Sequence, residues 1–73
     1  MDNELQSLPA EIGQLTSLRK LGLKGNQLYS LPAEIGLLTE LEELYCTDNL
    51  LTTFPPEMGS LKKLRKLQGS FNR

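Results

Sequence analysis

Residues 28–50 read LYSLPAEIGLLTELEELYCTDNL, and the same pattern is written on both sides of them. Displacing the sequence by 23 residues aligns Leu5, Leu28 and Leu51, then Pro9, Pro32 and Pro55. Ile12, Ile35 and Met58 form a further column, as do Gly13, Gly36 and Gly59, and then Asn26, Asn49 and Asn72. A period of this length marks a stacked architecture, in which no unit buries its apolar face alone. The chain is read as one domain over residues 1–73, with a partial unit at 1–4 and repeats at 5–27, 28–50 and 51–73.

Each repeat changes rhythm halfway. In the first, Leu8, Ile12 and Leu15 recur at three- to four-residue spacing, which predicts a short helical turn after Pro9. Proline suits a helix's first position, where its missing N–H has no partner anyway. Glu11 then falls in the first turn, where a carboxylate meets the positive end of the helix. Gly13 either ends this helix or lets the next coil approach closely. The segment KLGLK, residues 20–24, alternates instead and predicts a strand with Leu21 and Leu23 inward and Lys20, Gly22 and Lys24 outward. Strands of successive repeats run the same way, so they should form a parallel ladder with one face buried.

The asparagine column has a structural explanation. A bend after each strand leaves backbone N–H and C=O groups without ladder partners, and unpaired buried groups are costly. An asparagine amide offers two donors and an acceptor, so Asn26, Asn49 and Asn72 can each serve their own coil and its neighbour. Cys46 stands where the first repeat has Leu23 and reads as a buried small hydrophobe. A nucleophilic role would need a base, and the chain has no histidine. Leu37 and Leu50 replace Gln14 and Gln27, which predicts extra apolar surface on the middle repeat.

The third repeat departs furthest. Phe54 and Met58 replace a leucine and an isoleucine, and Gly69 takes the position of Leu23. Losing that inward side chain should forfeit about 2–5 kcal/mol unless Phe71 or a partner fills the space. With no polar cap in the repeat pattern, the end coils are expected to leave apolar surface and a strand edge open.

Length and charge narrow the function. A chain of 73 residues buries only about 60% of the surface its unfolded form exposes, so it favours regular packing or self-association. Net charge is −1, but it is partitioned: −2 over residues 1–4, +2 over 5–27, −5 over 28–50 and +4 over 51–73. Stacking therefore sets unlike charges side by side. The basic run KKLRK, Lys62 to Lys66, has Glu40, Glu42 and Glu43 one repeat away, which cancels the field a nucleic acid needs. No apolar run reaches the roughly 20 residues of a membrane span. The start MDNE lacks the features of a signal peptide, and a lone cysteine fits a reducing compartment, so a cytoplasmic location is expected. No cofactor or metal site and no catalytic set is visible. Glu11, Glu34 and Glu57 line up, but each is explained by its helix start.

The motif LxxLPxxIxxLxxLxxLxLxxNx fits residues 5–27 throughout, 28–50 with Cys46 as a substitution, and 51–73 with Phe54, Met58 and Gly69 as substitutions. The chain thus resembles leucine-rich repeat proteins of the 23-residue LPxxI type, found in Ras-binding scaffolds, plant intracellular proteins and bacteria. The resemblance implies an α/β fold: a right-handed solenoid of about three repeats, with short parallel β-strands on the concave face and short α- or 3-10 helices on the convex face. It also implies protein or peptide partners, engaged through the concave face.

On that face the outward columns are Lys20, Glu43 and Lys66; Gly22, Tyr45 and Gln68; and Lys24, Thr47 and Ser70, flanked by Arg19, Glu42 and Arg65. One reading is a solvated surface with cross-strand ion pairs. The other is a binding surface formed by Lys20, Lys24, Glu43, Tyr45, Thr47, Lys66 and Gln68, with Tyr45 as anchor. Leu50, Gly69 and Phe71 are the candidates for self-association into a dimer, end coil to end coil. The leading expectation is a non-catalytic protein-interaction module. The alternatives are a regulatory piece of a larger signalling protein or enzyme (a GTPase, kinase or ubiquitin ligase) and a designed repeat fragment.

Overall fold

The computed structural model describes residues 7–69, so Leu5, Ser70, Phe71 and Asn72 and the partial unit at 1–4 lie outside the described residues. Three coils follow one another, each a 3-10 helix and then a strand: η1 (Ala10–Gln14), β1 (Lys20–Gly22), η2 (Ala33–Leu37), β2 (Glu43–Tyr45), η3 (Pro56–Ser60) and β3 (Lys66–Gln68). The strands form one parallel sheet in the order β1-β2-β3. The register is the 23-residue repeat itself: Lys20 pairs with Glu43 and Glu43 with Lys66, while Leu21, Leu44 and Leu67 align one residue on.

The convex helices are 3-10 because the apolar residues recur every three residues. Ile12 N–H donates to Pro9 C=O at 3.1 Å, Leu15 to Ile12 at 3.1 Å and Leu18 to Leu15 at 3.0 Å. Such a chain of bonds has three residues per turn, so it stacks Ile12, Leu15 and Leu18 on one side. The same ladder runs from Pro32 to Leu41 and from Pro55 to Leu64. The prolines sit one position earlier than expected. Pro9, Pro32 and Pro55 are extended flanking residues that accept the first helical bond, and only Pro56 lies inside a helix.

Gly13 lies within η1, so it does not end that helix; it allows close approach. A β-carbon on it would stand 2.9 Å from Leu37 Cδ1 and 3.1 Å from the Glu34 carbonyl oxygen. One coil on, a β-carbon at Gly36 would stand 2.7 Å from the Glu57 carbonyl oxygen. Leucine length alone would therefore not set the spacing between coils; glycine backbones do. The left-handed turn residue after the strand is Gly25 in the first coil, at φ 79°, and Asp48 in the second, at φ 60°. Aspartate is among the few side chains that tolerate this region.

The core is centred on the middle coil. Leu28, Ile35, Leu38, Leu41, Leu44 and Cys46 are fully enclosed, and Leu23, Leu31, Leu51 and Leu61 complete the cluster. Cys46 is the buried small hydrophobe expected of it, and burial pushes its thiol pKa up. The shortfall at Gly69 is met inside the repeat. The Phe54 ring reaches to within 2.9 Å of where a Gly69 β-carbon would stand, with Cys46 Sγ at 3.6 Å. Phe54, larger than the leucine it replaces, fills the volume that Gly69 vacates.

Candidate functional site

Asn49 ties the first and second coils together beneath the concave surface. Its Nδ2 donates to Leu23 C=O at 2.9 Å in the preceding coil and to Cys46 C=O at 3.0 Å in its own, with Thr47 C=O at 3.2 Å. Its Oδ1 accepts from Leu28 N–H at 3.1 Å. One amide thus joins two coils. Asn26 makes the equivalent bond within its own coil, to Leu23 C=O at 2.9 Å, while its Oδ1 is buried with no partner among the described residues. Asn72 lies outside them.

Above this frame the concave columns stand in the expected register, but the side chains pair differently. Lys20, Lys24, Lys66 and Gln68 are exposed, and Tyr45 and Thr47 are half-buried. Glu43 is only 7% exposed, so it is a covered strut rather than an open contact. Its carboxylate accepts the Tyr45 hydroxyl and pairs with Arg65 Nη2 at 2.9 Å, so the straight Lys20–Glu43–Lys66 ladder gives way to a diagonal. Lys66 Nζ instead sits 5.9 Å from the Tyr45 ring centroid, within cation–π range. Tyr45 is therefore fixed at both ends, which prepares one ring face as a rigid contact.

The flanking column does form a ladder. Glu42 meets Arg19 Nη2 at 3.3 Å on one side and Arg65 Nε at 3.5 Å on the other. Lys63 joins Glu40 at 2.8 Å. Exposed pairs of this kind contribute little to stability, because solvent and salt screen them. Together they show the basic run 62–66 engaged with the acidic coil beside it. The hydrogen bond and charge of Lys63 hold the Glu40 pKa below the usual carboxylate range. The Tyr45 hydroxyl does the same for Glu43, helped by Lys20, Arg65 and Lys66 and opposed by burial. Reciprocally, the tyrosine pKa is raised, chiefly by its bond to that carboxylate.

The first and third coils hold what the sequence did not single out. Leu15 is 50% exposed although its counterpart Leu38 is enclosed, and Leu67 is 44% exposed although Leu44 is enclosed. The helix-side leucine thus leans on the preceding coil and the strand leucine on the following one. Among the candidates for self-association, Leu50 is half-buried with its N–H bonded to Leu28 C=O at 2.9 Å. Gly69 is half-buried beside Phe54, and Phe71 lies outside the described residues. Leu37 and Tyr29 add exposed apolar area, Leu37 as the sequence suggested and Tyr29 unforeseen.

Among the described residues no group of three His, Cys, Asp or Glu side chains gathers as it would around a metal ion. No described helix is long and apolar enough to cross a membrane. The family model for Leucine Rich Repeat matches residues 40–61. A solved structure of a Leptospira interrogans leucine-rich repeat protein superposes with a TM-score of 0.90 at 45% identity, covering 92% of this chain. The chain spans 17% of that protein's length. Comparison with curated proteins gives no match.

Proposed function

Because this chain is a leucine-rich repeat protein, we propose that it is a non-catalytic protein-interaction module. It would engage a protein or peptide through the concave strip and the exposed leucines Leu15 and Leu67. The observation that carries this reading is where the polar groups go. Asn49, Glu42 and Glu43 are committed to backbone or to neighbouring side chains, and their work is to hold the coils together. What remains presented is contact surface: the Tyr45 ring under Lys66, the exposed Lys20, Lys24 and Gln68, and the half-covered Leu15 and Leu67.

A dimer through the end coils is supported by their exposed leucines and opposed by their common positive charge. A second reading, a regulatory piece of a longer signalling protein or enzyme, draws support from the small share of the Leptospira protein that this chain spans. A reducing, cytoplasmic setting suits its lone cysteine, buried as a thiol.

Photo-crosslinking in extract from the source organism tests the main reading. Crosslinks to a defined protein should be lost in Tyr45→Ala and Lys24→Glu and kept in the convex variant Glu11→Gln. Loss in all three variants, or in none, would remove the concave strip from the proposal. For the dimer, static light scattering that reports 8.2 kDa at every concentration would sink it.

A further inference from the structure

Gly22 leaves a gap in the concave strip. It is exposed, nothing described lies within 4 Å of where its β-carbon would stand, and the residue paired with it across the sheet is Tyr45. An aromatic ring opposite a strand glycine can fold over it and replace the missing side chain. Tyr45 is held away instead: its hydroxyl is bonded to Glu43 and its ring lies under Lys66 of β3. The gap therefore stays open beside a fixed ring. Two cations bracket it. Lys20 and Lys24 stand two residues before and after Gly22 on the same outward side, because the ladder runs past β1: Leu23 N–H donates to Tyr45 C=O at 2.6 Å and Gly25 N–H to Thr47 C=O at 3.2 Å. Neither lysine makes an ion pair with a described residue. Glu43, aligned with Lys20, is taken by the Tyr45 hydroxyl and Arg65. Glu11, Glu34 and Glu57, which also make no ion pair with a described residue, lie on the helices, away from the strands.

We propose that this gap selects an extended acidic segment of a partner protein, with an aromatic side chain seated over Gly22 against Tyr45 and a carboxylate two residues to either side, on Lys20 and Lys24. The proposal rests on the interaction-module reading above and names the chemistry of its partner. Side chains of an extended chain point the same way every second residue, about 6.6 Å apart, which is the spacing of Lys20, Gly22 and Lys24 along their own strand. A segment of pattern acidic–x–aromatic–x–acidic therefore meets all three positions at once. Paired aromatic rings attract beyond the area they bury. The ring met here is already fixed, so little freedom is lost in ordering it. A nucleic acid fits less well, because two lysines beside the Glu42 and Glu43 carboxylates do not supply a run of phosphate contacts.

The test measures binding of a fluorescein-labelled peptide, Ser-Asp-Ser-Trp-Ser-Asp-Ser, to the full chain by anisotropy at low ionic strength. Lysine in place of both aspartates should weaken binding about tenfold or more, and alanine in place of tryptophan about threefold or more. Gly22→Val fills the gap without meeting a described neighbour and without a left-handed backbone to strain it. Its melting temperature should not fall, while its affinity for the peptide should drop about tenfold. Lys20→Glu together with Lys24→Glu should reverse the preference between the acidic and lysine peptides. Unchanged affinity in Gly22→Val, or equal binding of the two peptides, would overturn the proposal. Tighter binding of a thymidine oligonucleotide than of the acidic peptide would name a nucleic acid as the occupant and overturn it as well. Absence of peptide binding would also overturn it. Crosslinks in extract that vanish in Tyr45→Ala but persist in Gly22→Val would then leave the interaction module standing without this gap.

Discussion

The ζ-carbon of Phe54 lies 2.9 Å from the point where Gly69 would carry a β-carbon. The corresponding pair is Leu8 and Leu23 in the first repeat and Leu31 and Cys46 in the second, so volume has moved from one partner to the other. Gly69→Leu alone should overpack and cost about 1–3 kcal/mol. Phe54→Leu alone should open a void beside Cys46. The double variant restores a leucine pair and should recover much of both losses, with a coupling of at least about 0.5 kcal/mol. Urea unfolding of the four proteins reads this directly, and simple additivity would show the two positions to be independent.

Asn49 is the most consequential polar residue of the fold. Asn49→Ala removes the acceptor of Leu28 N–H, at about 1–3 kcal/mol for a buried group left unpaired, and takes one donor from each of the Leu23 and Cys46 carbonyls. Lys24→Ala, on the exposed rim, should stay within about 0.5 kcal/mol of the parent. Asn26→Ala should fall between them, since among described residues its amide serves one carbonyl. Matching losses at positions 49 and 24 would remove the clamp from the account.

Gly36 and Gly59 look alike in the sequence and should behave oppositely. A β-carbon at Gly36 meets the Glu57 backbone, which cannot rotate away, so Gly36→Ala should force η2 from η3 and cost about 1–3 kcal/mol. At Gly59 no described residue lies within 4 Å, and Gly59→Ala should be neutral or stabilise by about 0.4–1 kcal/mol through the unfolded chain. Thermal melts of the two variants would decide it; equal shifts would mean that coil spacing is set elsewhere.

Acid should weaken the concave lattice before it reaches the core. The folded-state pKa values of Glu43 and Glu40 are depressed, so their contribution is present above the ordinary carboxylate pKa of 4.5 and is lost as pH falls through the lower folded values. The Tyr45 pKa is raised, so its contribution holds below pH 10 and disappears as pH climbs through the higher folded value. Glu43→Gln should therefore flatten the acid limb of a melting-temperature profile. The same variant should move the alkaline Tyr45 titration, followed by ultraviolet absorbance, back toward its ordinary position. An unchanged acid limb would assign acid sensitivity to other carboxylates.

The sequence by itself determined the architecture and the register of this protein. A fixed 23-residue period obliges equivalent residues to stack, so Lys20, Glu43 and Lys66 share a column whatever their rotamers. It also placed the asparagine clamp and the alternation of charge between coils, because both follow from residue identity at fixed positions. Tertiary structure decided what periodicity does not encode. Glu43 turned from a presented carboxylate into a covered strut because the Tyr45 hydroxyl and the Arg65 guanidinium reach it across columns, and side-chain length sets that reach. Phe54 completed the core at Gly69 because a ring on one side of the coil spans to a gap on the other, a contact between residues 15 positions apart. Leu15 and Leu67 became the exposed apolar edges because side chains lean along the solenoid axis in opposite senses on its two sides. Comparing equivalent positions in the three coils reveals which leucines depend on a neighbour.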